Sequence, residues 1–203
     1  MWREAEEHLR RTDAVMARLA ERIGPVRLEP RAEGSHFDAV LRAIIYQQLS
    51  GRAAATIHGR LTQLFGGRAP TPADIQADDD GALRAAGLSR PKIAYARDLA
   101  AHALADPTRF ESLHEMDDDA IIAALTKVKG IGRWSAHMFL IFRLGRPDVL
   151  PELDLGIRKG IQKAYGLMAL PSPEQVQRIG TPWAPHRTAA AWYLWRSLDV
   201  ETP

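Results

Sequence analysis

Residues 125–136, Leu-Thr-Lys-Val-Lys-Gly-Ile-Gly-Arg-Trp-Ser-Ala, leave this chain few architectures. The spacing of apolar residues predicts a helix before Gly130 and another after Gly132. The Gly-Ile-Gly between them reads as a hairpin too tight for side chains, since glycine permits positive φ and the close approach of a backbone or a phosphate. The second helix then starts at the hairpin with unpaired N–H groups and the positive end of its dipole, a ready anion site. With Arg133 beside it, the element points to a grip on a nucleic-acid backbone. An isolated acid downstream, Asp154, implies that something is done to what is gripped.

The rest of the chain is patterned for helices. Apolar residues recur at helical spacing over Arg3–Arg22 and stop at Gly24-Pro25. Phe37–Leu49 and Arg52–Phe65 read as amphipathic helices parted by Ser50-Gly51, the second closed by Gly66-Gly67. Thr71-Pro72 opens a short helix, Asp78–Asp80 another that ends near Gly87, and Ser89-Arg90-Pro91 a longer one to about Ala105. Asp117–Asp119 opens Ala120–Val128, and the hairpin leads into Arg133–Leu144. After Gly145-Arg146-Pro147, Val149–Leu153 reads as extended, Asp154–Tyr165 as helical, and Trp183–Leu198 as the closing helix. No alternating stretch is long enough for a sheet, and no internal repeat is present. The expected class is all-α, with about ten to twelve short helices.

Composition narrows the function. The 203 residues are 46% hydrophobic, enough for one large domain or two lobes with a real core. Lys and Arg number 27 against 25 acids, a formal charge of +2, so any nucleic-acid binding must come from a local basic surface. The absence of cysteine removes disulfides, Cys-ligated zinc, iron–sulfur clusters and thiol nucleophiles. The charged start Met1–Glu6 reads as a helix rather than a signal peptide, and no apolar run reaches membrane length. A soluble intracellular protein is expected, cytoplasmic and nucleoid-associated in a bacterium, with no membrane partner and a monomeric state.

Several residues carry two readings. Asp154 is placed to be a helix N-cap, and a capped acid is also a positioned carboxylate. Trp134 and Met138, one turn apart on the second hairpin helix, serve either a core or a slot for a base. Trp183, Trp192, Tyr193 and Trp195 concentrate aromatic surface near the C-terminus, as stacking on a cationic purine would require. In Tyr46-Gln47-Gln48-Leu49-Ser50 the glutamines either cap a helix or plug the gap left by an extruded nucleotide. His58, His102, His114, His137 and His186 show no metal spacing and read as solvated or satisfied.

Together, these segments resemble the helix-hairpin-helix DNA glycosylases, in the 3-methyladenine DNA glycosylase II (AlkA/Mag) branch. Phe37–Ser50 is similar to that branch's first core helix, and Ala86-Gly87-Leu88-Ser89-Arg90-Pro91-Lys92 to its middle landmark. Lys129–Ala136 resembles its hairpin, and Pro151-Glu152-Leu153-Asp154-Leu155-Gly156 the segment bearing its catalytic acid. Trp183-Ala184-Pro185-His186-Arg187 with Tyr193-Leu194-Trp195-Arg196 resembles its closing signature.

The resemblance implies a two-lobed helical fold with DNA in a cleft. One lobe would span 36–145; the other would combine 1–35 with 146–203, without the extra N-terminal β-domain of a better-known bacterial homologue. Asp154 would be the catalytic carboxylate, and Trp134, Met138, Trp195 and Tyr46 would line the base pocket. Met138 stands where an aromatic is expected. Gln48 falls at the intercalating wedge, and Lys129, Gly130, Gly132, Arg133 and Ser135 fall against the DNA backbone. The carbonyls of Thr126, Val128 and Ile131 would hold a structural Na+ or K+, with no cofactor needed for catalysis. Lyase-type relatives carry lysine where this chain has Trp134, so a monofunctional enzyme is expected, acting on alkylated bases in double-stranded DNA. Two rivals are a non-enzymatic DNA-binding module and a glycosylase for oxidised or deaminated bases.

Overall fold

The computed structural model describes residues 2–31 and 34–199. Among these it contains thirteen α-helices, two 3-10 turns and no strands. In chain order the helices are α1 (Trp2–Thr12), α2 (Ala14–Ile23), α3 (His36–Tyr46), α4 (Gly51–Leu64), α5 (Pro72–Ala77) and α6 (Asp80–Ala85). They continue with α7 (Arg90–Ala105), α8 (Pro107–Glu111), α9 (Asp118–Leu125), α10 (Arg133–Phe142), α11 (Leu155–Tyr165), α12 (Pro173–Ile179) and α13 (Arg187–Asp199). The all-α class is as the patterning predicts.

The helix starts follow local cap chemistry. Thr71 and Ser172 form capping boxes with Asp74 and Gln175, and Asp79, Ser89 and Asp117 each accept an N–H from the first turn they cap. Several boundaries differ from the sequence reading. Arg3–Arg22 is two helices, because Asp13 leaves the helical path and accepts the Val15 and Met16 N–H groups as the N-cap of α2. The helix expected to reach Leu49 ends at Tyr46. The helix expected to reach Val128 ends at Leu125, where tight bonds from Lys127 to Ala124 and from Val128 to Leu125 turn the chain into the hairpin. The closing helix begins at Arg187, four residues after Trp183, which ends a separate 3-10 turn.

The chain divides into two compact units, one of residues 1–30 with 140–203 and the other of residues 31–139. The division falls a few residues ahead of the boundaries read from the sequence. In the first unit α13 packs chiefly on α11 and α2. Thr188–Ala191, Tyr193, Leu194 and Ser197 of α13 are all buried, so this helix runs through the core rather than across it. A Cβ on Gly160 of α11 would sit 2.7 Å from the Leu194 carbonyl oxygen, so glycine lets the two helices approach this closely. The start of α13 is fixed by a bidentate pair in which Arg187 Nε and Nη2 each meet an Asp148 carboxylate oxygen at 2.7 Å.

The same unit is tied at Asp13. Its Oδ2 accepts the Trp183 indole N–H at 2.9 Å and the Tyr165 hydroxyl, joining α2, α11 and the 3-10 turn. Burial raises the Asp13 pKa, but the bonds from Tyr165, Trp183, Met16 and Val15 together bring it below its usual value. Burial and the Asp13 charge push the Tyr165 phenol well above its usual value. Trp183 and Tyr193 are fully buried, so two members of the C-terminal aromatic concentration are core.

In the second unit α7 is central, packing on α3 and α5 and touching α6 and α8. Ile93, Ala96, Leu99, Ala100 and Ala103 form its buried stripe. Against it lie Phe37, Leu41, Ile44 and Ile45 of α3, each worth roughly 1.5–3 kcal/mol when removed from water.

Candidate active site and nucleic-acid grip

In the first unit, Asp154 is delivered by a turn rather than by an extended segment. Its N–H donates to the Pro151 carbonyl at 2.9 Å, and the chain then enters α11. Its Oδ1 accepts the Ile157 N–H at 2.8 Å, the N-cap bond, and the Trp195 indole N–H at 2.9 Å. The N-cap reading of this acid holds, and the indole from α13 gives the same carboxylate oxygen a second donor. The Trp195 ring stacks on Phe142 with centroids 5.6 Å apart. Gly156 makes this packing possible, since a Cβ there would lie 2.9 Å from both Asp154 Oδ1 and Trp195 Cδ1. Asp154 and Trp195 are both half-buried, positioned yet accessible.

The second unit holds the hairpin. Val128 and Ile131 are buried anchors, and the Ile131 N–H donates to the Val128 carbonyl at 3.1 Å. Gly130 has φ 77°, and a Cβ there would strike the Tyr95 ring at 2.3 Å, so both conformation and space demand glycine. Gly132 differs: nothing lies within 4 Å of its would-be Cβ, and it is exposed. Asp98 of α7 accepts the Lys129 N–H at 2.8 Å, and the exposed Lys129 ammonium stands 3.7 Å from the same carboxylate. Lys127 and Arg133 are also exposed, so three cations flank the turn.

Ser135 is placed differently from a phosphate-contacting hydroxyl. It is buried, and its Oγ accepts Gln47 Nε2 at 3.2 Å, which leaves its N–H in the first turn of α10 as the group for an anion. Trp134 and Met138 are half-buried on successive turns of α10. Tyr46 is half-buried, its hydroxyl accepting Arg42 Nη2 at 2.6 Å and its ring lying 4.6 Å beneath the Arg42 guanidinium. Gln48 is exposed with φ 57°. The structure therefore brings Asp154 to Trp195 in one unit, and gathers the hairpin, Gln47 and α7 in the other.

Sequence reasoning passed over Phe142, Tyr95 and Asp98; it left Gly156 and Lys92 inside motifs without roles and did not tell Gln47 from Gln48. A partial signal was present. Lys92, Tyr95 and Asp98 recur every third residue along α7, a spacing that shares a helix face. The histidines are accounted for in part by neighbours: His58 bonds Asp38 at 3.3 Å, His102 the Asp98 carbonyl at 2.9 Å, and His114 meets His36 at 3.3 Å. No group of three or more His, Cys, Asp or Glu among the described residues is arranged to hold a metal ion. No helix among them is long and apolar enough to cross a membrane.

The profile of the HhH-GPD superfamily of base excision DNA repair proteins matches residues 41–185, and the chain belongs to that superfamily. The chain is 36% identical to DNA-3-methyladenine glycosylase 1 of Schizosaccharomyces pombe over 97% of its own length and 88% of the relative's. It is 33% identical to the alkylbase DNA glycosidase-like protein mag2 of the same yeast, over 96% of its length and 93% of the relative's. Among solved structures, the yeast 3-methyladenine DNA glycosylase Mag1 in complex with abasic DNA superposes with a TM-score of 0.86 at 33% identity, covering 97% of each chain.

Proposed function

We propose that this chain is a monofunctional DNA glycosylase of base excision repair. It flips alkylated bases of the 3-methyladenine and 7-methylguanine type out of double-stranded DNA and hydrolyses their N-glycosidic bonds. The observation that carries this reading is Asp154, whose Oδ1 is held by a helix N–H and the Trp195 indole within a half-buried setting. The substrates of the yeast relatives, as their names give them, support the alkylated-base assignment.

Methylation at purine N3 or N7 makes the base cationic and a good leaving group, so little general-acid help is needed. As the C1′–N bond lengthens, its electron pair goes to the base, and positive charge grows on the deoxyribose. The Asp154 carboxylate stabilises that charge, water oxygen bonds to C1′, and the water proton is released. The products are a neutral methylpurine and abasic DNA, the kind of DNA held by the solved yeast relative. Trp134, Met138, Trp195 and Tyr46 are assigned to the base, and Gln48 to the vacated space in the duplex. Damaged pairs cost less to open, which contributes to selection. Lys129, Arg133 and the N–H groups around Gly130, Gly132 and Ser135 are assigned to phosphates.

The carbonyls of Thr126, Val128 and Ile131 offer only hard oxygen donors, which suits Na+ or K+. Val128 retains acceptor capacity beyond its bond from Ile131. Such an ion would add positive charge toward a phosphate and takes no part in bond cleavage.

Chromatography of methylated duplex DNA treated with the protein tests the reading. Free 3-methyladenine or 7-methylguanine is expected, with no borohydride-trapped protein–DNA adduct because Trp134 supplies no amine. Absence of base release rejects the alkylated-base reading in favour of a DNA-binding module or a glycosylase for another lesion, and a trapped adduct rejects the monofunctional one.

A further inference from the structure

Gln48 is the one non-glycine with positive φ among the described residues, at 57°, and it is exposed. Such a conformation disfavours any residue with a Cβ and persists only where the surroundings over-determine it. The source of that constraint lies on the preceding residues. Lys92 Nζ reaches from α7 to donate to the carbonyls of Ile45 at 2.6 Å and Gln47 at 2.8 Å, gripping the end of α3 and the residue before Gln48. The Gln47 side chain turns the other way, donating from Nε2 to the Gly130 carbonyl at 2.8 Å and to Ser135 Oγ at 3.2 Å. Beyond Gln48, Ser50 caps α4 through the Ala53 N–H. The loop is thus fastened on both sides, and the fastener on one side is the hairpin itself.

We propose that Gln47 and Lys92 are positioning residues that fix the Gln48 loop to the helix-hairpin-helix, so that seating of the hairpin on DNA phosphates sets the placement of the wedge. This rests on the reading of Gln48 as the wedge and of the hairpin as the phosphate grip. The two adjacent glutamines then divide the work: Gln48 meets the duplex, while Gln47 holds the loop against the element that finds it. Lys92 is suited to the task because its ammonium offers three donors and both of its carbonyl partners are main-chain atoms. Burial lowers the Lys92 pKa, the desolvation cost of turning the ammonium away from water toward the two carbonyls.

The proposal predicts coupling between neighbours that point in different directions. Single-turnover release of methylpurine is measured for wild type, Gln47→Ala, Lys92→Met, Lys92→Arg, Gln48→Ala and the Gln47→Ala/Gln48→Ala double variant, with binding to undamaged duplex and amide exchange of residues 46–50. Gln47→Ala and Lys92→Met are expected to slow release about tenfold. Binding to undamaged duplex should stay within about threefold, and the Gln48 and Leu49 amides should exchange at least about tenfold faster. Lys92→Arg retains donors for both carbonyls and recovers most of the rate. The double variant is no slower than the slower single variant, since a detached loop and an absent wedge fail in the same way. Independent, multiplying effects in the double variant overturn the proposal, as do unchanged amide exchange and unchanged release. Wild-type release by Gln48→Ala overturns the wedge assignment together with the proposal. Absence of methylpurine release by the wild type overturns the alkylated-base reading as well, whereas unchanged exchange beside normal wild-type release overturns the proposal alone.

Discussion

The Trp195 indole N–H donates to Asp154 Oδ1 at 2.9 Å, and the same oxygen accepts the Ile157 N–H that starts α11. Two rigid helices therefore meet at one carboxylate oxygen. A carboxylate that must face developing charge on a sugar benefits from being set in advance, because reorientation during the reaction consumes stabilisation.

Trp195→Phe removes the indole donor while keeping an aromatic ring to stack on Phe142. A hydrogen bond to a charged group is worth about 1.5–3 kcal/mol, and only the part that sharpens the transition state reaches the rate. A loss of roughly tenfold in single-turnover base release is expected, with the melting temperature lowered by a few degrees. An unaltered rate assigns Trp195 to base stacking alone.

Gly156→Ala places a Cβ 2.9 Å from Asp154 Oδ1 and from Trp195 Cδ1. In an open helix position glycine-to-alanine is worth about 0.5–1 kcal/mol of added stability, and Gly59 of α4, with nothing within 4 Å of its would-be Cβ, supplies that comparison. Gly59→Ala is expected to raise the melting temperature at full activity. Gly156→Ala gives no such gain and slows base release about tenfold as the acid and indole are pushed apart. Equal stabilisation by both, at full activity, contradicts the packing described.

Acid unfolding follows from Asp13 and Asp148. Burial raises both, yet hydrogen bonds to Asp13 and the Arg187 pair at Asp148 bring each below its usual value of 3.8. A folded-state pKa lower than the unfolded one contributes stability that is fully present above the unfolded value. That contribution is lost as pH falls below about 3.8 through the folded values. Melting temperature should be flat near neutrality and fall below about pH 4, more shallowly in Asp13→Asn. Asp13→Ala, which removes the α2 cap and orphans Tyr165 and Trp183, should cost about 2–4 kcal/mol at neutral pH by urea titration.

Asp13 also shows where the sequence was legible and where it was not. The caps at Thr71, Ser89, Asp117 and Asp154 are readable because each involves atoms within a few residues. Asp13 is the same kind of cap, but it sits in an unbroken amphipathic stretch, and what draws it out of the helix is Tyr165 and Trp183, 152 and 170 residues away. The aromatic concentration near the C-terminus was visible, yet periodicity does not separate the buried Trp183 from the half-buried Trp195 at Asp154. Gln47 was hidden for a similar reason. Its partners, Gly130 and Ser135, lie 83 and 88 residues on, so only the folded chain shows which of two adjacent glutamines faces the hairpin.

The central claim is that Asp154 carries the chemistry, and Asp154→Asn tests it most directly. The amide keeps an oxygen to accept the Ile157 and Trp195 N–H groups, so the N-cap and the fold are preserved while the negative charge is removed. Methylpurine release under single-turnover conditions, measured beside equilibrium binding to the same DNA, should fall by about 10²–10³-fold, roughly 3–4 kcal/mol, with affinity within a few-fold of wild type. Wild-type release by Asp154→Asn contradicts the account, and the catalytic carboxylate then has to be sought elsewhere in the chain.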